Sequence, residues 1–487
     1  MTTIVAERIH GHPGSNALTI SAGRITTIGS AKHGEDVIRV PGVILPGLRD
    51  AHLHPVGVVS ARDQLDLSAA RTLEEVRSLL SEASARLPST APLVATALDD
   101  HRLDLGRMPT AAELDGVVTD RPVLVYRRCS HVAAANSTAL RLAGIDDDTA
   151  DPPGGHVRRG VDGTVTGVVE EAAIAAIVEA LRFPDAPPDP TRLERFLSSL
   201  AGRGIVAIDA MVSVGPSMWC TGVDELDVVV ALGETSPVRM DVHVITRDVE
   251  ALAGAARVLT DAGPRIRFAG WKGFADGSLG GHTAALREPY ADRPSTWGML
   301  TASHLDEMAE AAVALGGTAA VHAIGDLAVE TVLDLADRIG PGRIRIEHAS
   351  VADPEQVAHM AEAGVMASVQ PSFATSDRSL LKPRLGPRRA DWAYPFRTML
   401  DAGVAIRAGS DAPIESPDPF TGIADAVRPR PEGVTVAEAI DLYADRPLTI
   451  GGPATFVAVS GDPALIDPEV IPEMTVEHMW TEGVITK

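Results

Sequence analysis

Histidine and aspartate side chains stand at the ends of four apolar runs that lie far apart in the chain. His52 and His54 end the first run, His322 and His348 end two others, and Asp411 follows the last. Histidine nitrogens and carboxylate oxygens are common zinc ligands. In a parallel barrel every strand ends on the same face, so residues distant in sequence can meet there. The pattern therefore predicts one metal site built from these five residues.

The spacing of His52 and His54 puts both side chains on the same face of a strand, so both imidazoles can reach one ion. The chain repeats this His-X-His spacing at His10 and His12, but in a polar, turn-rich stretch. We predict metal binding for the first pair and none for the second.

His322 and His348 each have a carboxylate nearby in sequence, Asp326 and Glu347 respectively. A carboxylate that accepts a hydrogen bond from a ligand imidazole fixes its tautomer. Glu347 alternates away from His348 along a strand, so a different partner for Glu347 stays open. For either histidine alone, a hydrogen-bonded place in the core is the competing interpretation.

Asp411 follows Ala-Gly-Ser at the last strand, where glycine allows the backbone to approach a site closely. Its carboxylate could hold the metal and shuttle a proton. The alternative is an N-cap, because Ser410-Asp411-Ala-Pro413 could open a helix.

Lys272 ends the apolar stretch Ile-Arg-Phe-Ala-Gly-Trp. A charged lysine is costly to bury, so this one needs a partner, a lowered pKa or a modification. A neutral lysine that captures carbon dioxide becomes a carbamate, which is an anionic oxygen ligand able to bridge two ions. The competing interpretation is an ion pair with Asp276 or a similar neighbour.

These residues need a scaffold that brings strand ends together. Eight apolar runs read as buried parallel strands, with helical segments between several of them. A (β/α)₈ barrel is the economical solution. The runs end at His52 or lie near 204–209, 238–245, 266–272, 319–322, 344–348, 365–369 and 404–409.

Two regions do not follow this alternation of strands and helices. Short alternating segments at 1–47 and 449–487 predict strands of one composite β-sandwich domain, because neither set could bury a face alone. The barrel would occupy 48–448. Within it, residues from about 62 to 200 are too many for one helix, and we interpret them as an insertion that covers the mouth of the active site.

Composition excludes several classes of protein. There are 66 acidic and 43 basic residues, a formal charge of −23, and no basic run long enough to follow a phosphate backbone, so nucleic acid is not expected as a partner. Two cysteines, Cys129 and Cys220, exclude a disulfide framework. The start of the chain lacks the pattern of a secretory signal, and no long apolar stretch predicts a membrane span. We expect a cytoplasmic protein.

Nine ordered segments resemble the amidohydrolase superfamily, and within it the YtcJ-like branch of metal-dependent hydrolases that includes N-substituted formamide deformylases. They span nearly the whole predicted barrel. The segments are Pro46-Gly-Leu-Arg-Asp-Ala-His-Leu-His-Pro, Arg127-Arg-Cys-Ser-His131-Val-Ala-Ala-Ala-Asn136-Ser, Asp151-Pro-Pro-Gly-Gly, Thr166-Gly-Val-Val-Glu-Glu171-Ala, Lys272-Gly-Phe-Ala-Asp-Gly-Ser-Leu-Gly, His322-Ala-Ile-Gly-Asp, Arg345-Ile-Glu-His-Ala, Ser368-Val-Gln370-Pro-Ser and Gly409-Ser-Asp-Ala-Pro-Ile-Glu.

The resemblance implies a barrel joined to a composite sheet domain, with one or two zinc ions and a carbamylated Lys272 in the two-metal form. Glu171 is an alternative carboxylate ligand. At 281–282 this branch usually has Ser-Arg, whereas this chain has Gly281-His282, so a guanidinium contact to substrate would be lost. Metal positions would fall to His52, His54, Lys272, His322, His348 and Asp411, and substrate contacts to His131, Asn136, His282, Gln370 and Trp297.

Together these features predict a metal-dependent hydrolase that cleaves a non-peptide C–N bond of a small molecule, such as an amide, formamide, lactam or cyclic imide, by metal-activated hydroxide. Asp411 would move the proton, and His348 would help to polarise the carbonyl. An ester, lactone or phosphoester hydrolase on the same site is the nearest alternative, and a non-catalytic binding protein is another. A small molecule is the expected partner, with a homodimer as an open alternative to a monomer.

Overall fold

The computed structural model describes residues 1–31, 37–88, 91–181, 189–214, 225–428 and 431–486. Cys220 lies outside the described residues. Within them, no helix has both the length and the apolar character needed to cross a bilayer.

Eight parallel strands form the central barrel, and each corresponds to one of the predicted apolar runs. Sequential strands are neighbours in the sheet. The two end strands meet at their carboxyl ends, where His54 N donates to Ala412 O (2.9 Å) and Asp411 N donates to His52 O (2.7 Å). The predicted (β/α)₈ barrel is confirmed. Its strands are β7 (Leu48–Leu53), β14 (Ile205–Ser213), β15 (Arg239–Ile245), β16 (Ile266–Phe274), β17 (Thr318–Ala323), β18 (Ile344–His348), β19 (Met366–Val369) and β20 (Ala405–Ala408).

Helices surround the barrel because each carries one apolar stripe. In the helix Asp326–Ile339, for example, one face is buried at the three- and four-residue spacing of a helix; its buried residues include Ala328, Val329, Val332, Leu333 and Ala336. These helices share one core with the strands. They are α1 (Pro55–Ala61), α6 (Pro190–Gly202), α7 (Leu226–Val230), α8 (Val249–Thr260), α9 (Leu305–Ala314), α10 (Asp326–Ile339), α11 (Pro354–Glu362), α12 (Pro371–Ser376), α13 (Arg378–Ala390), α14 (Phe396–Asp401), α15 (Pro419–Val427) and α16 (Val436–Tyr443).

The barrel interior contains charged side chains as well as apolar ones. Arg345 on β18 donates to Asp209 on β14, across the ring, and its Nη2 donates to Ala51 O on β7 (2.9 Å). Arg49 on β7 pairs with Asp209 and Asp241. Every member is buried, so each charge needs its partners, and together they tie non-adjacent strands to one another.

Strands from the two ends of the chain pair with each other, as predicted. One sheet joins both ends, in the order β2 (Arg8–Ile9), β6 (Val43–Pro46), β21 (Phe456–Val459), β22 (Val476–Thr481) and β23 (Val484–Ile485). Gly483, with φ of 83°, lies in the hairpin turn between β22 and β23. A second sheet packs on it through a common apolar cluster; its order is β4 (Arg24–Gly29), β3 (Ala17–Ser21), β1 (Thr2–Val5) and β5 (Val37–Arg39).

The long interval after β7 contains a six-stranded sheet of its own. Apolar clusters cover both faces of this insertion sheet, and α2 (Leu73–Arg86), α3 (Ala111–Asp115), α4 (Ser137–Leu142) and α5 (Ala172–Ala180) accompany it. By contrast, α6 packs against the barrel core. The sheet order is β12 (Gly155–Arg159), β13 (Val165–Glu171), β11 (Val132–Ala135), β10 (Val123–Arg127), β9 (Leu93–Leu98) and β8 (Leu65–Asp66).

Candidate active site

A cavity of about 1620 Å³ lies at the carboxyl ends of the barrel strands. Side chains from the barrel and from the insertion sheet line it together, so the insertion contributes directly to its wall. All six predicted ligand residues line this cavity: His52, His54, Lys272, His322, His348 and Asp411. Neither His10 nor His12 does; His10 binds Asp441 and His12 binds the carbonyl of Leu448.

His52, His54 and Asp411 form the tightest group in the cavity. Both histidines direct Nε2 at the same oxygen, with distances to Asp411 Oδ1 of 3.2 Å for His52 and 3.3 Å for His54. One ligand atom from each residue lies within 4.8 Å of the others. Two imidazole nitrogens and a carboxylate oxygen are a donor set that suits zinc and related divalent ions.

The closure of the barrel holds Asp411 in place. Its φ of 56° is unusual for a residue other than glycine, and its N–H donates to His52 O. At Gly409 a Cβ atom would stand 2.4 Å from His52 N, so only glycine allows this approach. The alternative N-cap role is wrong, because the next helix begins at Pro419 and is capped by Asp418.

Each remaining histidine has a hydrogen-bond partner on one ring nitrogen. His348 Nδ1 lies 2.6 Å from Gln370 Oε1, and His322 Nε2 lies 2.9 Å from Gly277 O and 3.4 Å from Asp276 Oδ1. Such partners orient a ring and leave its other nitrogen available as a ligand.

The expected carboxylate partners were assigned wrongly. Glu347 bonds His52 rather than His348, which agrees with its alternation along β18. Asp326 accepts a hydrogen bond from Arg287 and none from the cavity histidines, and Asp276 lies beside His322 instead. Gln370, predicted to orient substrate, orients His348 instead.

Five imidazole rings form a continuous row through the site. Their centroids are separated by 5.4 Å for His54 and His52, 5.0 Å for His52 and His348, and 4.5 Å for His348 and His322. The row ends at His131 of the insertion, 5.0 Å from His322. Residues from three barrel strands and the insertion sheet therefore meet at one place.

Electrostatics favours the metal-binding form of these side chains. Burial lowers the pKa of His54, that of His322 well below its usual range, and that of His348 to about 3. These rings are neutral near pH 7, as metal binding requires. Burial alone would also lower the pKa of His52, but the charges of Asp411 and Glu347 raise it. A cation beside His52 would satisfy the same charges.

Lys272 is buried among apolar atoms, and burial lowers the pKa of its amine to about 7. Its Nζ donates to Gly273 O (3.1 Å) and lies 3.5 Å from the centre of the Phe274 ring. Among the described residues no carboxylate forms a salt bridge with Lys272, so the alternative pair with Asp276 is wrong. Asp276 accepts instead from the backbone N–H groups of Ala285, Ile324 and Gly325. A largely neutral amine is the form that reacts with carbon dioxide.

Glu171 does not join the ligand group. Its Oε2 accepts from His131 Nδ1 (2.8 Å), and its other oxygen, Oε1, is buried without a hydrogen-bond partner among the described residues. His131 lines the cavity and Glu171 does not. Glu171 thus orients the histidine that the insertion contributes to the row.

Three residues predicted to contact substrate do not line the cavity. Asn136 is fully buried as the N-cap of α4, where it bonds the backbone of Val123 and Ala139. Trp297 is half-exposed and His282 binds Asp292; neither lines the cavity. Asn136 lies in a segment that carried the resemblance and His282 closely follows another, but packing directs both side chains away from the cavity.

Arginine side chains at the cavity were missed. Arg127 and Arg128 precede His131 within a segment that carried the resemblance, so a signal for them existed. Arg384 on α13 also lines the cavity, and nothing in its local sequence marks it. Guanidinium groups from other elements therefore line the cavity, although position 282 carries histidine.

The amidohydrolase family model matches residues 42–486. YtcJ of Bacillus subtilis (strain 168) is 32% identical, with the match covering 93% of this chain and 90% of that protein. The N-substituted formamide deformylase of Arthrobacter pascens is 25% identical over 97% and 94% of the two chains. The crystal structure of an uncharacterized metal-dependent hydrolase from Pyrococcus horikoshii OT3 superposes with a TM-score of 0.71 at 25% identity, covering 96% of this chain and 99% of that one. A family match of this extent, on a barrel with this row of histidines, means that the chain belongs to the amidohydrolase family.

Proposed function

We propose that this protein is a metal-dependent hydrolase that cleaves a C–N bond other than a peptide bond in a small molecule. One observation carries the proposal: His52, His54 and Asp411 bring three ligand atoms within 4.8 Å of one another in a large cavity. His322, His348 and Lys272 line the same cavity, so a second ion could share the site.

The residues fit a divalent metal, and zinc best, because the donor set is mainly neutral imidazole with one carboxylate. His52, His54 and Asp411 would hold it together with His348, His322 and a carbamylated Lys272. When bound, such an ion lowers the pKa of a water from about 16 towards 7 and polarises a carbonyl oxygen. Histidines whose other nitrogens bond Glu347, Gln370 and Gly277 O are already oriented for this task.

Asp411 is suited to moving the proton. Burial alone would raise its pKa, but the charge of His52 and the hydrogen bonds from His52 and His54 hold it well below the usual range, so its carboxylate is ionised and can accept a proton from water. The carboxylate would then return that proton to the leaving nitrogen, and the products would be an acid and an amine. His131, held by Glu171, would donate a hydrogen bond to the substrate carbonyl from the end of the histidine row that the insertion contributes.

The relative named as an N-substituted formamide deformylase supports C–N cleavage over the alternatives. An ester, lactone or phosphoester hydrolase on the same site is the second candidate. Matched amide and ester substrates that share one acyl group distinguish the two: faster turnover of the amide, relative to its uncatalysed rate, supports our proposal, and turnover of the ester alone contradicts it.

Asp411→Asn tests the role of the carboxylate. We expect metal content to stay near that of the wild type while kcat falls by about 10³-fold or more, because proton transfer is lost. Asp391→Asn, at an exposed aspartate beyond α13, is the control and should change neither quantity. Full activity of Asp411→Asn would refute the proposed mechanism. Wild-type protein that folds, binds no zinc and hydrolyses nothing would instead support a binding protein.

A further inference from the structure

Two buried guanidinium groups meet at Gly280, on the wall of the cavity beside the histidine row. Arg127 ends β10 of the insertion sheet and Arg384 lies in α13, and their side chains are 3% and 7% exposed. Arg384 Nη2 donates to Gly280 O (3.2 Å), and a Cβ atom at Gly280 would stand 2.6 Å from Arg127 Nη1. Both arginines line the cavity.

The carboxylates around this pair use only part of its donor capacity. Arg127 Nε donates to Asp100 (2.8 Å), and Arg384 pairs with Asp292 through Nη1. Arg384 Nη2 also lies 2.9 Å from His101 Nε2. A guanidinium has five N–H donors, and Arg384 Nε is buried with no hydrogen-bond partner in the described part of the chain. Asp292 is also shared with His282 (3.2 Å).

The charges of the two arginines act on titratable groups nearby. Burial lowers the pKa of His282 to about 4, and the charge of Arg384 acts in the same direction. Burial alone would raise the pKa of the Cys129 thiol, yet Arg127 and His131 lower it.

The two arginines meet at Gly280, which is close in the chain to a residue that bonds the histidine row. His322 Nε2 bonds Gly277 O (2.9 Å), and three residues later the chain reaches Gly280. Three Cα–Cα steps span at most about 11 Å. A ligand of modest size can therefore reach both places within this cavity.

We propose that Arg127 and Arg384 bind a carboxylate of the substrate, so that the preferred substrates are amides that carry a carboxylate away from the scissile bond. The inference rests on the proposed function. A carboxylate suits the planar fork of guanidinium donors, and a single negative charge matches a wall that already holds Asp100 and Asp292 better than a phosphate dianion would.

Binding and turnover of one matched pair of compounds test the inference. N-benzoylglycine and N-benzoylglycinamide share one benzoyl amide bond and differ in the charge of the far end, so turnover of both is measured as release of benzoate from the shared bond. With zinc-loaded full-length protein, we expect the carboxylate to bind at least about tenfold more tightly by calorimetry and to show the higher kcat/KM. Equal binding of the two compounds would overturn the subsite. Tighter binding of the carboxylate with hydrolysis of neither compound would support the subsite and contradict the hydrolase.

Variants locate the effect. Arg127→Lys and Arg384→Lys keep the positive charge but lose the planar pair of guanidinium donors that can bind a carboxylate. Each substitution should reduce the preference for the carboxylate compound by about tenfold to a hundredfold. Neither should change the zinc content. Arg121→Lys and Arg389→Lys are the controls, because these arginines are equally buried but bond backbone carbonyls away from the cavity. A preference that persists in Arg127→Lys and Arg384→Lys would also overturn the proposal.

Discussion

The carboxylate of Glu347 accepts a hydrogen bond from Nδ1 of His52, 295 positions earlier in the chain. Arg345 donates to the same carboxylate. Because β18 and β7 are not neighbours in the barrel, this contact spans its interior. It determines that Nε2 of His52, and not Nδ1, is directed at Asp411.

Glu347→Gln should weaken metal binding without abolishing the fold. Losing the carboxylate that orients and polarises a ligand imidazole typically costs about 10- to 100-fold in metal affinity, and zinc titration against a competing chelator measures this. Glu362→Gln, at an exposed position on α11, should behave as the wild type. Unchanged zinc affinity in a folded Glu347→Gln protein would show that the contact has no such role.

Glu171→Gln tests whether Glu171 positions His131 or binds the metal. We expect zinc content to stay constant and kcat/KM to fall by about tenfold or more, because the charged hydrogen bond that holds His131 is weakened. Glu170→Gln is the matched control, since this adjacent glutamate pairs with Arg158. Loss of zinc from Glu171→Gln would assign Glu171 to the metal instead.

Carbamylation of Lys272 can be observed directly. Its pKa of about 7 leaves much of the amine neutral at pH 8, so ¹³C-bicarbonate with zinc should produce a protein carbamate signal by NMR. The signal should be absent from Lys272→Arg and present in Lys382→Arg, which changes an exposed lysine on α13. A signal that survives in Lys272→Arg would place the modification elsewhere.

The same buried lysine predicts how the stability of the metal-free, bicarbonate-free protein depends on pH. Burial lowers the pKa of Lys272 from 10.5 to about 7, so between these values the unfolded chain binds more protons than the folded one. Stability therefore rises with pH across this window, by about 1 kcal/mol per pH unit relative to Lys272→Met. Urea unfolding of both proteins at several pH values measures the difference. A difference that falls with rising pH would contradict a depressed pKa.

Asn136→Ala should affect stability rather than catalysis. The change removes the N-cap of α4 and leaves the buried N–H of Val123 and the carbonyls of Val118 and Arg121 without their partner. We expect a loss of about 2–3 kcal/mol in the free energy of unfolding, with kcat/KM close to the wild-type value. Thr72→Ala, which removes the exposed cap of α2, should cost only about 1 kcal/mol. If the Asn136→Ala protein were as stable as the wild type but turned over substrate more slowly, Asn136 would contact the substrate after all.

Several expectations stay predictions: the cytoplasmic location, the small-molecule substrate, the assembly as monomer or homodimer, and the domain limits at 47 and 449. The sequence pattern did not predict the sheet within the insertion, and the reason is local. Its strands are short and its β11 is largely alanine, so they lack the long apolar runs that mark the barrel strands.

The sequence by itself determined the barrel and the residues at its mouth, because apolar runs that end in histidine or aspartate are local patterns and parallel strands must release their ends on one face. Only the tertiary structure decided which groups orient those residues. Glu347 bonds His52, Gln370 bonds His348 and Asp276 lies beside His322. These contacts form because packing brings together side chains that are far apart in the sequence, and a local sequence pattern cannot predict them. The convergence of Arg127 and Arg384 on Gly280 has the same origin, since the two come from different layers of the fold that meet only when the insertion sheet covers the barrel.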